Sequence, residues 1–198
     1  MNTVLIPDMR KIGIDYNSFK NMFISQIENP NKSDEKEMKY WEYRKINFQR
    51  SHRLEKHFIP SDELLQVIKT INRPQTWVVI TESWCGDSAQ NLPIISTIAS
   101  RNDKIILRIV FRDEHIELMD QYLTNGTRSI PKLIVFDNDN NELFQWGPRP
   151  LEAQSLYINL KNTGIEKSEI NKELHYWYSK NRGKEVEKEL IELIKKLN

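Results

Sequence analysis

Between Trp77 and Leu160 the spacing of apolar positions changes several times, and each change marks an element. W-V-V-I-T (Trp77–Thr81) is a short β-branched run after Pro74, which predicts a buried strand. Ser88 to Ser100, with apolar Leu92, Ile94, Ile95, Ile98 and Ala99, has helical spacing. Pro93 lies inside it, and its missing N–H predicts a kink. K-I-I-L-R-I-V-F (Lys104–Phe111) predicts a second strand, and its unbroken apolar character predicts cover on both faces. Strand, helix and strand together have the length of a right-handed βαβ crossover. His115 to Leu123 predicts a further helix, closed by Asn125-Gly126. K-L-I-V-F-D (Lys132–Asp137) and E-L-F-Q-W (Glu142–Trp146) flank the polar D-N-D-N-N, and so short a link requires an antiparallel hairpin. Gly147-Pro148-Arg149-Pro150 interrupts the pattern before a helix from Leu151 to Leu160. The order is βαβ, helix, ββα, an α/β unit.

Helical spacing also occupies both flanks. Asp15 to Glu28 and Ser33 to His57 predict helices, and Ser61-Asp62-Glu63 caps a third that runs to Ile71, with Pro60 just ahead. Lys184 to Leu197 aligns Val186, Leu190, Ile191, Ile194 and Leu197 on one face. The chain therefore divides into a helical N-terminal extension (1–73), the α/β domain (74–162) and a helical C-terminal extension (163–198). Neither flank carries enough apolar surface to stand alone, so both are expected to pack on the domain. Lys and Arg number 29 against 28 for Asp and Glu, which leaves no field to steer nucleic acid or an anionic membrane. No apolar run approaches a bilayer span. The opening M-N-T-V-L-I-P-D-M-R lacks the basic and long apolar regions of a signal peptide, so a cytoplasmic protein is expected.

Cys85 is the sole cysteine. An intrachain disulfide and a zinc site of several thiolates are thereby excluded. A lone cysteine is often just a small buried hydrophobe, but the surroundings of Cys85 point further. It follows a predicted strand and opens a predicted helix, where unpaired N–H groups and the helix dipole favour the thiolate. Gly86 allows close approach to a partner, and the Ser88 hydroxyl can stabilise the anion. Asp87 works against it, since a neighbouring carboxylate raises a thiol pKa. The sequence leaves that balance open.

His52, His57, His115 and His175 share no metal-ligand spacing, and no metal or cofactor is expected. R-D-E-H (Arg112–His115) reads as a solvated corner. R-S-H-R-L-E-K (Arg50–Lys56) reads as an exposed helix surface whose basic side chains brace acidic neighbours, with an anion-binding face as the alternative. Arg149 lies between two prolines on stiff backbone, as a residue held for a contact would.

W-C-G-x-S after the first strand, Pro93 in the following helix and Ser129-Ile130-Pro131 before the third strand together resemble the thioredoxin-like superfamily, over about Gln75 to Leu160. The resemblance implies a three-layer α/β/α fold with a βαβ–ββα core. It also implies a cis Ile130–Pro131 peptide beside the sulfur, and backbone pairing of Ile130 with an extended substrate. N-F-Q-R-S-H-R-L-E-K, T-E-S-W-C-G-D-S-A-Q and F-Q-W-G-P-R-P are similar to a bacterial thioredoxin family group that keeps W-C-G-D. Some of its members lack the second cysteine, which accommodates Ser88 as the natural residue, although a cysteine replaced by serine would read the same. The chain departs from working thioredoxins in that missing cysteine and in Val79, where they bury an aspartate. C-G-D-S is only loosely similar to the C-G-F-S of cluster-binding monothiol glutaredoxins, since Asp87 replaces the phenylalanine.

Two functions fit these residues. The first is a monothiol thiol–disulfide oxidoreductase acting through mixed disulfides on a protein or low-molecular-weight thiol. Cys85 would be its nucleophile and Ser88 the stabiliser, with Trp84, Gly86, Asp87, Ile130 and Pro131 as the docking surface. The second is a redox-inactive binding module, an adaptor or holdase, that uses the groove near Trp84 and Pro131.

Overall fold

The computed structural model describes residues 8–197, so the Met1–Pro7 part of the opening stretch lies outside the described residues. Its elements are α1 (Tyr16–Glu28), α2 (Glu35–His57), α3 (Asp62–Lys69), β1 (Gln75–Thr81), α4 (Gly86–Ala99) and β2 (Ile105–Phe111). There follow α5 (Ile116–Met119), β3 (Lys132–Asp137), β4 (Glu142–Trp146), α6 (Leu151–Asn162), α7 (Lys167–Asn181) and α8 (Lys184–Lys195).

The sheet order is β2-β1-β3-β4, with β1 parallel to β2 and antiparallel to β3, and β3 antiparallel to β4. Every residue of the interior strand β1 is buried. Side chains alternate across a strand. Trp77 and Val79 therefore share one core with Leu133, Val135 and residues of α1, α3, α4 and α8. Val78 and Ile80 face the other way, into a core with Cys85, Met119, Ile130 and Phe136. The strand that ends at Thr81 thus delivers the motif to the C-terminal end of β1 already flanked by hydrocarbon.

Three predicted features are corrected. Cover on both faces of β2 does not hold, because Ile106 is 43% exposed; β2 is also an edge strand. The outer edge of β2 is closed instead by Ile14, which exchanges hydrogen bonds of 2.9 and 2.7 Å with Ile109. Gly13 permits this, since its φ is +61° and a Cβ there would collide with the Ile109 carbonyl. The helix predicted to Leu123 ends at Met119. There Gln121 and Tyr122 donate to carbonyls only three residues back, Leu118 and Met119, so the chain tightens into a turn. The third concerns α7: within the C-terminal extension expected to be helical, the spacing delimits only Lys184 to Leu197, whereas a separate helix precedes it. It buries Ile170, Leu174 and Tyr178 against Ala153 of α6.

Pro93 does not end α4, which continues to Ala99. A proline cannot donate to the carbonyl four residues back. That carbonyl, of Ala89, accepts the Ser51 hydroxyl of α2 at 3.1 Å. The defect in one helix is thereby satisfied by its neighbour, which ties α2 to the helix that carries the motif.

Candidate functional site

Cys85 is the N-cap residue of α4, extended at φ −78° and ψ 120°, and its side chain makes no capping bond. Its Sγ turns inward and donates to the Ile130 carbonyl at 3.4 Å, beside an Ile130–Pro131 peptide that is cis. Only 8% of the residue is exposed. Burial pushes the thiol up to about 11, and the Asp87 carboxylate adds to the rise. The Ser88 hydroxyl and the N–H groups of Ser88 and Asp87 pull it down, but less strongly. The Ser88 hydroxyl is itself buried without a full hydrogen bond to any described group. At neutral pH a thiol with that pKa is ionised in roughly one molecule in ten thousand.

Asp87 is fixed from the far side. Arg149 Nη2 lies 2.6 Å from its Oδ2, and the Tyr178 hydroxyl donates to its Oδ1 at 2.9 Å. Asn91 Nδ2 donates to that hydroxyl and to the Pro148 carbonyl, each at 3.2 Å. Burial raises the Asp87 pKa, opposed by Arg149 and by the Tyr178 hydrogen bond. The guanidinium of Arg149 also lies 4.3 Å from the ring centre of Tyr157. The contact expected of Arg149 is therefore a bridge from the G-P-R-P turn to the motif. Gly147 lets that turn approach closely, because its φ is +110° and a Cβ would meet the Pro131 carbonyl.

The other wall comes from α2. Arg44 Nε donates to the Ser83 hydroxyl at 3.0 Å while its Nη1 pairs with Glu37 at 2.8 Å. Asn47 Nδ2 donates to the Ser83 carbonyl at 3.2 Å, and Ser83 Oγ donates to Gln26 of α1 at 2.7 Å. Trp84 is held between two partners: the Tyr40 ring stacks at 4.9 Å and 12°, and the Arg112 guanidinium lies 4.9 Å from the indole. The R-D-E-H corner is thus part of the site's surround. Its Asp113 N–H donates to Glu82 at 2.9 Å.

Of the sequence-predicted residues, Cys85 and Ile130 are in contact, and Ser88 and Pro131 are buried close by in the chain. Trp84, Gly86 and Asp87 are half-buried, with Asp87 already engaged. His175 and Tyr178 of α7 were not foreseen. The i, i+4, i+8 spacing of Ile170, Leu174 and Tyr178 signals a helix, but nothing in it points to a motif so far back in the chain. Among the described residues no group of three or more His, Cys, Asp or Glu side chains could hold a metal, and no helix is long and apolar enough to cross a membrane.

A four-stranded mixed sheet with flanking helices, carrying its single thiol between β1 and α4, defines an α/β thioredoxin-like fold. A family described as thioredoxin matches residues 34–161, and the chain belongs to it. The match includes α2 as well as the sheet. No curated protein matches. Among solved structures, a Pseudomonas aeruginosa protein of unknown function, PA1234, is similar at 18% identity and TM-score 0.63, covering 96% of each chain. An HIV epitope scaffold is similar at 18% identity and TM-score 0.60, covering 94% of this chain and 95% of its own. At such identity the likeness speaks for the fold alone.

Proposed function

We propose that this protein works as a thioredoxin-fold binding module, in which Cys85 stays protonated at neutral pH and donates a hydrogen bond, rather than attacking disulfides. One observation carries this reading: the buried Sγ donates to the Ile130 carbonyl while the fixed Asp87 carboxylate opposes its ionisation. Exchange needs a thiolate that can reach a partner sulfur, and release of the mixed disulfide needs a second thiol. The chain has one cysteine. The rigid edge of Trp84 and the backbone at Gly86 form the rim offered to a polypeptide ligand. The indole is held by the Tyr40 ring stacked on it and by the Arg112 guanidinium against it, so a ligand meets a pre-organised anchor.

A specific feature favours the second reading, monothiol exchange with a protein or small thiol. The sulfur opens α4, where the N–H groups of Asp87 and Ser88 lower its pKa. Alkylation by iodoacetamide across pH separates the two. The binding module reacts slowly at neutral pH, with a rate that climbs through the alkaline range toward an inflection near 11, and it does not reduce insulin with a small-thiol reductant. Fast alkylation with an inflection below neutrality, together with turnover of a mixed disulfide, would replace this reading with the second.

A further inference from the structure

The basic stretch on α2 has a second consequence, away from the sulfur. Arg50 and Arg53 line an open-sided cleft of about 340 Å³ together with Ile46 and Gln49 of α2, Gln90 of α4, and His175 and Ser179 of α7. The bracing expected of this stretch is absent for these two residues. Among the described residues neither arginine pairs with a carboxylate, and Arg50 donates only to the Asn47 side-chain oxygen at 3.0 Å. Arg50 is half-buried; desolvation and the positive charge of Arg53 lower its pKa, and the Asp87 carboxylate offsets them only in part, its two oxygens being engaged by Arg149 and Tyr178. A desolvated guanidinium facing a like charge is costly unless something negative completes it.

The rest of the cleft suits that role. Burial, Arg50 and Arg149 push His175 down to about 4, so its ring is neutral at physiological pH and can donate one N–H. Gln90 is 3% exposed, and its Nε2 lies 3.5 Å from His175 Nδ1. Gly86 forms the adjoining wall: a Cβ there would come within 3.0 Å of the His175 ring and 3.7 Å of Arg50 Nη1. The first turn of α4, whose Asp87 is held by Arg149 and Tyr178, therefore lies with its positive dipole end beside Arg50. Forked guanidinium donors match the paired oxygens of a carboxylate or phosphate. The volume exceeds what an inorganic ion alone fills.

We propose that this cleft binds a small organic anion, its acidic group seated between Arg50 and Arg53 and its remainder against Gln90, His175 and Ser179. This does not rest on the protonation state of Cys85. The test uses the full chain with sodium phosphate and with citrate, at ionic strength held constant by sodium chloride. Two signals are followed, the melting temperature and the ring resonances of His175. Either probe is expected to raise the melting temperature and to shift the His175 signals saturably. In R50Q and R53Q the same binding weakens about tenfold or more, as loss of a charge-assisted pair implies. Both variants should fold, and without anion R53Q should melt no lower than the parent, because a repulsion has been removed. A response to phosphate alone assigns the acidic group as phosphate, and a response to citrate alone as carboxylate. If neither probe moves His175 beyond the sodium chloride control, or if R50Q and R53Q respond like the parent, the proposal is overturned.

Discussion

At the residue scale the site is decided by what surrounds one sulfur. Helix-terminal N–H groups and the Ser88 hydroxyl favour the thiolate, whereas burial and Asp87 favour the thiol, and the second pair wins. Asp87→Asn tests the electrostatic share of that outcome. The amide still accepts from Tyr178 but carries no charge, so the Cys85 pKa should fall below the parent value, as read from the pH dependence of thiolate ultraviolet absorbance. An unchanged pKa would assign the whole rise to burial. The same substitution leaves Arg149 half-enclosed without its anion. Breaking a buried pair from one side costs about 3 kcal/mol, so D87N should also unfold at lower denaturant. The double variant D87N/R149M should recover part of that loss, because the stranded charge is gone. The residues Cys85, Asp87 and Ser88 were legible in the sequence as opposing influences. Their balance was not, because it depends on how deeply the sulfur is buried.

At the element scale, α2 and α7 make the site what it is, and they were legible to different degrees. Helical spacing over Ser33–His57 announced α2, observed as Glu35–His57. Its duties were hidden, because a polar side chain such as Asn47 or Ser51 has no sequence signature for the carbonyl it will meet. α7 falls within the expected helical C-terminal extension, but its bounds were not legible, because its apolar stripe is sparse, only Ile170, Leu174 and Tyr178 being buried in it. Both helices act on the motif through hydrogen bonds distant in sequence, of the kind periodicity cannot report. Arg44 is the strongest test of the α2 clamp. It is 5% exposed and joins Ser83 to Glu37. Arg44→Ala leaves the Ser83 hydroxyl without that donor and opens a void, so a loss of about 2–3 kcal/mol is expected in urea unfolding. Glu37→Gln leaves the Arg44 contact with Ser83 in place but takes the anion from a buried guanidinium. Because the Glu37 side chain is itself partly exposed and the new amide oxygen can still accept, the cost should be smaller, about 1 kcal/mol. Equal costs for the two would show that Arg44 matters through its charge pair and not through its hold on the motif. Faster Cys85 alkylation in R44A alone would show that the clamp also keeps the sulfur covered.

At the scale of the whole molecule, the βαβ–ββα order predicted from periodicity is the order observed. What periodicity could not give was the edge position of β2, since a strand sealed by a short segment such as Ile14 reads like one buried on both faces. The same burial that shapes the core sets how stability responds to pH. Burial pushes the Glu82 carboxyl up to about 7 from an ordinary 4.5. Between those values the folded state keeps a proton that the unfolded chain has released, so this group lowers stability as pH rises from about 4.5 to about 7. His175 acts oppositely. It is pushed down to about 4 from 6.5, so the unfolded chain holds the extra proton and stability rises with pH across that window. Cys85, raised to about 11 from 9.0, adds a second decline between those values. Glu82→Gln isolates one leg of this profile, since its amide oxygen can still accept from the Asp113 N–H while carrying no charge. The melting temperature of E82Q minus that of the parent should therefore grow from about pH 4.5 to about pH 7 and then level off, while the His175 and Cys85 legs cancel in the difference. A difference that stays flat through that window would mean that Glu82 ionises as it does in water, and that the end of β1 beneath the motif is open to solvent.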